Sequence, residues 1–181
     1  MTDDMLTPEG LQMAVWNRLE EGAQTRQGPG HVMAFATQKS KGPDLRYLVL
    51  RAASRADRML RFWTNAKSDK IGHLQALPKA SAALWDPAAN LQARLSLNVT
   101  IHAGDRGTWE ALPGAARVNY TQDPAPGHPL DAPEDAKAAK PHPDMFVWLD
   151  CRVTRMDILC LGGALHKRAL ITDDHARWIM P

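Results

Sequence analysis

The sequence predicts a mostly β protein with flanking helices (α+β), an antiparallel barrel of six to eight strands. Three observations carry that reading. Residues 91–102 alternate strictly, with Leu91, Ala93, Leu95, Leu97, Val99 and Ile101 against Gln92, Arg94, Ser96, Asn98, Thr100 and His102, the mark of a long strand with one wet face. Short strand-like runs at roughly 31–37, 45–53 and 58–64 are separated only by short polar turns at 39–44 and 54–57, and consecutive strands so connected pair antiparallel. Helical spacing is confined to a few flanking segments, which disfavours a doubly wound parallel sheet.

The elements follow in order. Thr7 as cap, Pro8 in the first turn, and Leu11, Ala14, Val15, Arg18 and Leu19 at helical spacing predict a first helix that ends by Gly22. After the three strand-like runs, Ser68 should cap a second helix that buries Ile71, Leu74 and Leu77 before Pro78. The long strand at 91–102 is followed by a short helix over 113–120 and then by a Pro/Ala/Asp-rich stretch, 121–144, which has no periodicity and reads as a long loop. Strand character returns at 145–154, 156–161 and 166–172. With 181 residues and no linker, 1–181 is expected to be a single domain, its residues 1–27 an N-terminal helical segment.

Composition excludes several functions. Lys+Arg (22) and Asp+Glu (20) nearly cancel to +2, too balanced for a broad nucleic-acid or anionic-lipid footprint. No run is apolar enough for a membrane helix, so neither nucleic acid nor membrane is expected as a partner. Two cysteines, Cys151 and Cys160, and an acidic start instead of a secretory signal point to the cytoplasm. The histidines are scattered and no metal site is predicted; His142 with Asp144 reads as a polar loop. Six tryptophans without a basic groove, Trp16, Trp85, Trp148 and Trp178 among them, are read as packing. Phosphate-loop, Rossmann and serine-hydrolase signatures are absent from the sequence.

Charge is nevertheless concentrated. From residue 44 to 70, Arg46, Arg51, Arg55, Arg58, Arg61, Lys67 and Lys70 face Asp44, Asp57 and Asp69, a local +4. Arg46 shares a strand face with Leu48 and Leu50, so a guanidinium ends an apolar stripe and needs an anionic partner if covered. Lys70 falls in the first turn of the Ser68 helix, where the helix dipole disfavours a cation unless an anion is held there. Together they predict a phosphate site.

The same residues carry a resemblance. Arg46-Tyr47-Leu48-Val49-Leu50-Arg51, then Phe62-Trp63-Thr64-Asn65-Ala66-Lys67-Ser68-Asp69-Lys70, then Gln92-Ala93-Arg94 resemble, in order and spacing, the pyridoxamine 5'-phosphate oxidase family of FMN-binding split barrels. The match covers roughly residues 45 to 95 and extends loosely through Trp109 and the Gly162-Gly163 turn. The resemblance implies a split barrel and a homodimer with FMN at the subunit interface. It implies that Arg46 and Lys70 bind the phosphate, that main chain from Leu48 to Leu50 lines the flavin beside Tyr47, Arg51 and Ser68, and that Trp63 and Thr64 lie against it. Gln92 matches a glutamine that hydrogen-bonds the cofactor, and a primary amide suits the mixed polar edge of a flavin. Arg168 matches an arginine that reaches the FMN.

Departures bear on the substrate. Asp69 replaces a basic residue beside the phosphate lysine, and Cys160 replaces a flavin-adjacent tryptophan; it reads as a small buried strand residue. The tyrosine, arginine and serine that hold the oxidase's vitamin phosphate correspond to Trp109, Pro113 and Arg117, and of the arginine and histidine after the glycine turn only His166 remains. Arg51 stands at the family's substrate-facing lysine position. The expectation is an FMN-dependent oxidoreductase acting on an unidentified small molecule, with no catalytic residue assigned, since hydride transfer needs no general base. The alternatives are a non-enzymatic flavin-binding or sensor protein, and a haem-binding relative with His31, His73, His102 or His166 as axial ligand.

Overall fold

The alternation read at 91–102 is the central strand of a closed barrel in the computed structural model, which describes residues 5–121, 123–138 and 140–181. Residues 1–4 of the expected N-terminal segment, and 122 and 139 of the expected long loop, lie outside the described residues. The described residues form β1 (Val32–Lys39), β2 (Gly42–Ser54), β3 (Met59–Asn65), β4 (Lys79–Asp86), β5 (Leu91–Ala103), β6 (Phe146–Cys160), β7 (Lys167–Ile171) and β8 (Ala176–Ile179). The sheet order is β3-β2-β1-β4-β5-β6-β7-β8, and β3 also pairs with β6. That second pairing closes six strands into an antiparallel barrel, leaving β7 and β8 as an extension. The α-helices among the described residues are α1 (Pro8–Thr25), α2 (Asp69–Ala76), α3 (Arg106–Ala111) and α4 (Gly114–Arg117), and short 3-10 turns at Pro133–Ala138 and Pro143–Met145 interrupt the expected long loop.

One face of each strand fills the barrel. Phe35, Leu50, Leu60, Phe62, Leu84, Leu95, Leu97, Leu149 and Met156 are buried together, with Phe35 and Phe62 edge to face at 5.3 Å. Helix α1 packs its Leu11, Val15, Trp16 and Leu19 face onto β2 and β7. Thr7 Oγ1 accepts from the Gly10 amide at 3.0 Å, the expected cap.

Several boundaries differ from expectation, each for a local reason. Helix α1 does not stop at Gly22 but runs to Thr25 and ends at Arg26 in the left-handed region. Gly22 is required instead because the chain entering β1 crosses the helix there: a Cβ would lie 2.4 Å from Gly30 C. Ser68 precedes α2, but its hydroxyl makes no capping bond; it donates to Asn65 O at 2.8 Å and accepts from Lys70. Leu77, expected in the core, is 41% exposed because the backbone is already extended there and the side chain turns outward. The strands expected at 145–154 and 156–161 are one strand, β6. The interruption is a bulge at Thr154, whose hydroxyl donates to Ser96 O at 3.2 Å while the ladder with β5 steps by one residue. The helix expected over 113–120 shrinks to the single turn of α4, while α3, capped by Asp105 on the Thr108 amide, precedes it. Strands β4 and β8 were not expected at all. Trp85 and Trp178 lie on their outward positions, 47% and 45% exposed, so these two tryptophans are not core packing, whereas Trp16 is fully buried.

Candidate functional site

Four parts of the chain converge on a cleft of about 380 Å³: β2, the end of β3, the start of α2, and the residues Asn119, Tyr120 and Pro126. Its lining includes Tyr47, Leu48, Val49, Arg51, Trp63, Thr64, Ser68 and Lys70, eight of the twelve residues that the sequence nominates. Strand β3 delivers Trp63 and Thr64, and the turn after it brings Ser68 and Lys70 back over its end.

Lys70 is the centre of a donor cluster. Its ammonium donates to Thr64 Oγ1 at 3.0 Å and Ser68 Oγ at 2.9 Å, and those hydroxyls lie 3.2 Å apart. Burial holds the Lys70 ammonium below the ordinary lysine value and the charge of Arg46 lowers it further, with Asp44 and Asp69 opposing. The cation is therefore held where, without an anion, it is disfavoured. Arg46 itself is not part of the cleft lining. Its Nη1 donates to Thr37 Oγ1 at 2.8 Å and Phe35 O at 3.2 Å, and its Nη2 donates to Asp44 Oδ2.

Arg51 stands differently. Its guanidinium lies over the Trp63 ring, 4.8 Å from the centroid. Its Nε is buried without a hydrogen-bond partner. Burial lowers its pKa, partly offset by the Tyr120 phenol, and burial raises the pKa of Tyr120 in turn. Arg51 thus brings a partly desolvated cation, stacked on Trp63, to the cleft wall, with one N–H left without an acceptor.

The far wall of the cleft escaped the sequence reading. Asn65 Nδ2 donates to Asn119 O at 3.3 Å and Thr121 O at 2.9 Å, and its Oδ1 accepts from the Lys67 amide at 2.8 Å, clasping that segment to β3. Tyr120 packs with Phe146, Leu112, Trp63, Trp109 and Trp148 in a small aromatic core beneath it. Asn65 stands inside the motif quoted above; Asn119, Tyr120 and Pro126 follow no period that would have marked them.

Leu50 is buried in the barrel, where only its main chain remains to meet a ligand. Gln92 and Arg168 are not among the residues lining this cleft. Both pair with Leu159, Gln92 from β5 and Arg168 from β7, so they share one face of the sheet. Arg168 Nε and Nη2 grip the Asp157 carboxylate at 2.9 and 3.1 Å, and Arg94 Nη2 reaches it at 2.6 Å. Asp157, Arg94, Arg155 and Arg168 border a second cavity of about 370 Å³, floored by Ala34, Ala36 and Ala83.

Arg117 is engaged by the backbone. Its Nε and Nη2 donate to Leu112 O and Glu110 O at the end of α3, and the guanidinium lies 5.5 Å from the Trp109 ring centroid. His166 is exposed on the glycine turn, and Cys160 is buried. Of the other histidines considered as axial ligands, His73 Nδ1 lies 3.1 Å from Thr37 Oγ1 and His102 Nε2 lies 3.3 Å from Asp150; neither they nor His31 line the cleft. Among the described residues no helix is long and apolar enough to cross a membrane.

Comparison with known proteins agrees with this architecture. A pyridoxamine 5'-phosphate oxidase-related, FMN-binding protein from Nostoc punctiforme PCC 73102 superposes with a TM-score of 0.75 at 24% identity, over 94% of this chain and 96% of that one. PhzG from Burkholderia lata 383, solved in complex with tetrahydrophenazine-1-carboxylic acid, gives 0.74 at 18% identity, over 99% and 95%. A Clostridium acetobutylicum protein related to general stress protein 26 of B. subtilis gives 0.58 at 13% identity, over 92% and 96%. At these identities the likeness is one of fold. No curated protein matches significantly. The family model of the pyridoxamine 5'-phosphate oxidase FMN-binding domain matches residues 13–103, half of the chain and the part that holds Arg46, Arg51, Trp63, Lys70 and Gln92. The chain belongs to the pyridoxamine 5'-phosphate oxidase FMN-binding domain family.

Proposed function

We propose that this protein is an FMN-dependent oxidoreductase that works as a homodimer on a small molecule carrying an anionic group. The observation that carries the reading is one cleft lined both by the Lys70, Thr64 and Ser68 donor set and by the Arg51 guanidinium stacked on Trp63. These residues fit a phosphate-bearing flavin. A cation with two hydroxyls offers the convergent donors a phosphate monoester requires, and its neighbour Arg46 adds a guanidinium suited to phosphate oxygens. Trp63 gives a flat apolar wall, and the main chain of Leu48 to Leu50 supplies a polar edge. FMN, when bound, supplies hydride acceptance or donation.

The remaining work falls to this chain's own groups. Arg51, fixed over Trp63, is the anchor for an anionic substrate, because Arg117 is already engaged by backbone carbonyls. The Asn65 clasp holds the 119–121 wall in place. Gln92 and Arg168, absent from this cleft's lining, fit a site completed by a second copy; exposed Leu45 and Tyr47 on β2 supply apolar surface for such an interface. PhzG, a structural neighbour crystallised with a carboxylated tricyclic compound, accords with an anionic aromatic substrate.

The test is reconstitution, then absorbance spectroscopy and mass analysis of the cofactor released on denaturation. FMN at one per chain, reduced by NAD(P)H, agrees with the proposal. FAD, a Soret band or no stoichiometric cofactor refutes it, and a bound but unreactive FMN favours a flavin carrier over an enzyme.

A further inference from the structure

The guanidinium assigned to the phosphate is already in contact with an acid from its own strand. Asp44 and Arg46 are two residues apart on β2, so their side chains leave the same face, and Arg46 Nη2 donates to Asp44 Oδ2. Orientation does not need this contact. Nη1 is bonded to Thr37 Oγ1 and Phe35 O on neighbouring β1, which fixes the guanidinium plane, and Thr37 is buried. What Asp44 adds is charge. Around it stand Arg46, the Lys70 ammonium whose field it opposes, and His73, whose Nδ1 is 3.9 Å from Asp44 Oδ2; the acid Asp69 stands near Lys70 on α2. The Asp44 side chain is 33% exposed, so it can leave without burying an unpaired charge.

Resting on the reading that Arg46 and Lys70 hold the FMN phosphate, we propose that Asp44 is an intramolecular competitor for that phosphate. Its carboxylate occupies an N–H of Arg46 and is displaced when the cofactor binds, so this one side chain sets FMN affinity and keeps the cofactor exchangeable. A phosphate monoester prevails because it brings nearly two negative charges and three acceptor oxygens, against one charge on the carboxylate. Asp44 exacts part of that advantage as displacement work.

The experiment is a titration of full-length apoprotein with FMN and, separately, with riboflavin, following quenching of flavin fluorescence, for the parent protein, D44N and D44S. The expected result is FMN bound roughly three- to tenfold more tightly by both variants, as for loss of a partly exposed ion pair, with riboflavin unchanged. FMN saturation with unchanged or weaker binding by D44N and D44S makes Asp44 an orienting residue and overturns this proposal alone. No saturable FMN binding by any of the three overturns the cofactor reading itself and this proposal with it. An equal tightening for riboflavin also overturns it, because the effect then does not act through the phosphate.

Discussion

Replacing Lys70 by alanine should move ligand binding and protein stability in opposite directions. In the protein without cofactor, the ammonium is partly desolvated and repelled by Arg46, and both effects lower its pKa. Its hydroxyl partners do not depend on it: Ser68 Oγ also donates to Asn65 O at 2.8 Å, and Thr64 Oγ1 lies 3.2 Å from Ser68 Oγ. Lys70→Ala therefore leaves the thermal midpoint unchanged or slightly raised. With FMN the balance reverses, since a charge-assisted hydrogen bond is worth about 1.5–3 kcal/mol, or about 10- to 150-fold in dissociation constant. The assay pairs a flavin fluorescence titration with a thermal melt of the apoprotein. A lowered midpoint with unchanged FMN affinity refutes the reasoning, because Lys70 would then be a structural tie between β3 and α2.

Four further outcomes follow from particular contacts. Arg18 Nε donates to Asp86 Oδ2 at 2.6 Å with side chains 14% and 10% exposed, so Asp86→Ala should lose about 3–5 kcal/mol in denaturant unfolding. Asp86 and Asp157 both have folded pKa values below the ordinary carboxylate value, so their stabilisation is complete above about pH 4 and is lost as pH falls through the depressed values; a pH series of melts should show that loss on the acid side. Gly30→Ala places a Cβ 2.0 Å from Arg18 O and should destabilise by on the order of 3 kcal/mol, read by the same unfolding assay. Pyridoxamine 5'-phosphate oxidation by the FMN-saturated protein should stay well below about 1 per second, since Pro113 has no side-chain donor and Arg117 is bonded to Glu110 O and Leu112 O; turnover at an ordinary enzymatic rate contradicts this.

What could be read in the sequence was what is local or periodic. The β5 alternation follows from one buried face, and the Arg46 to Lys70 stretch carries its cations within a short segment, so both were visible without knowing the register. The Asn119 and Tyr120 wall was not, because an aromatic side chain reaches the cleft there only through Asn65, which lies 54 residues from Asn119. The β6 bulge looks like a strand break in the sequence because a one-residue insertion interrupts the period of two without ending the strand. The separation of Gln92 and Arg168 from the Lys70 cleft follows from the strand order, which sets β1 and β4 between β2 and β5 and which no local pattern encodes.

Two of the arginines assigned to FMN by sequence, Arg46 and Arg168, differ in how their own acids hold them, and the difference decides what each acid does. Asp157, whose side chain is 8% exposed, takes Arg168 through Nε and Nη2 together, and Arg168 Nη1 has only a long 3.4 Å contact to Met180 O. A two-point grip on one edge of the fork fixes its plane and leaves the opposite N–H group for a ligand, so breaking it would unfix the guanidinium for no geometric gain. Arg94 and Arg155 also bear on Asp157, at 2.6 and 3.5 Å, so that carboxylate stays neutralised whether or not Arg168 engages anything else. Asp44 has the reverse arrangement: more exposed, bound to a nitrogen whose orientation is already set by β1, and set among other cations. Removing Asp157 should therefore disorder its arginine and weaken any ligand it meets, whereas removing Asp44 should free its arginine and strengthen one. Opposite signs from two Asp→Asn changes, read on a single FMN titration, separate a positioning acid from a competing one.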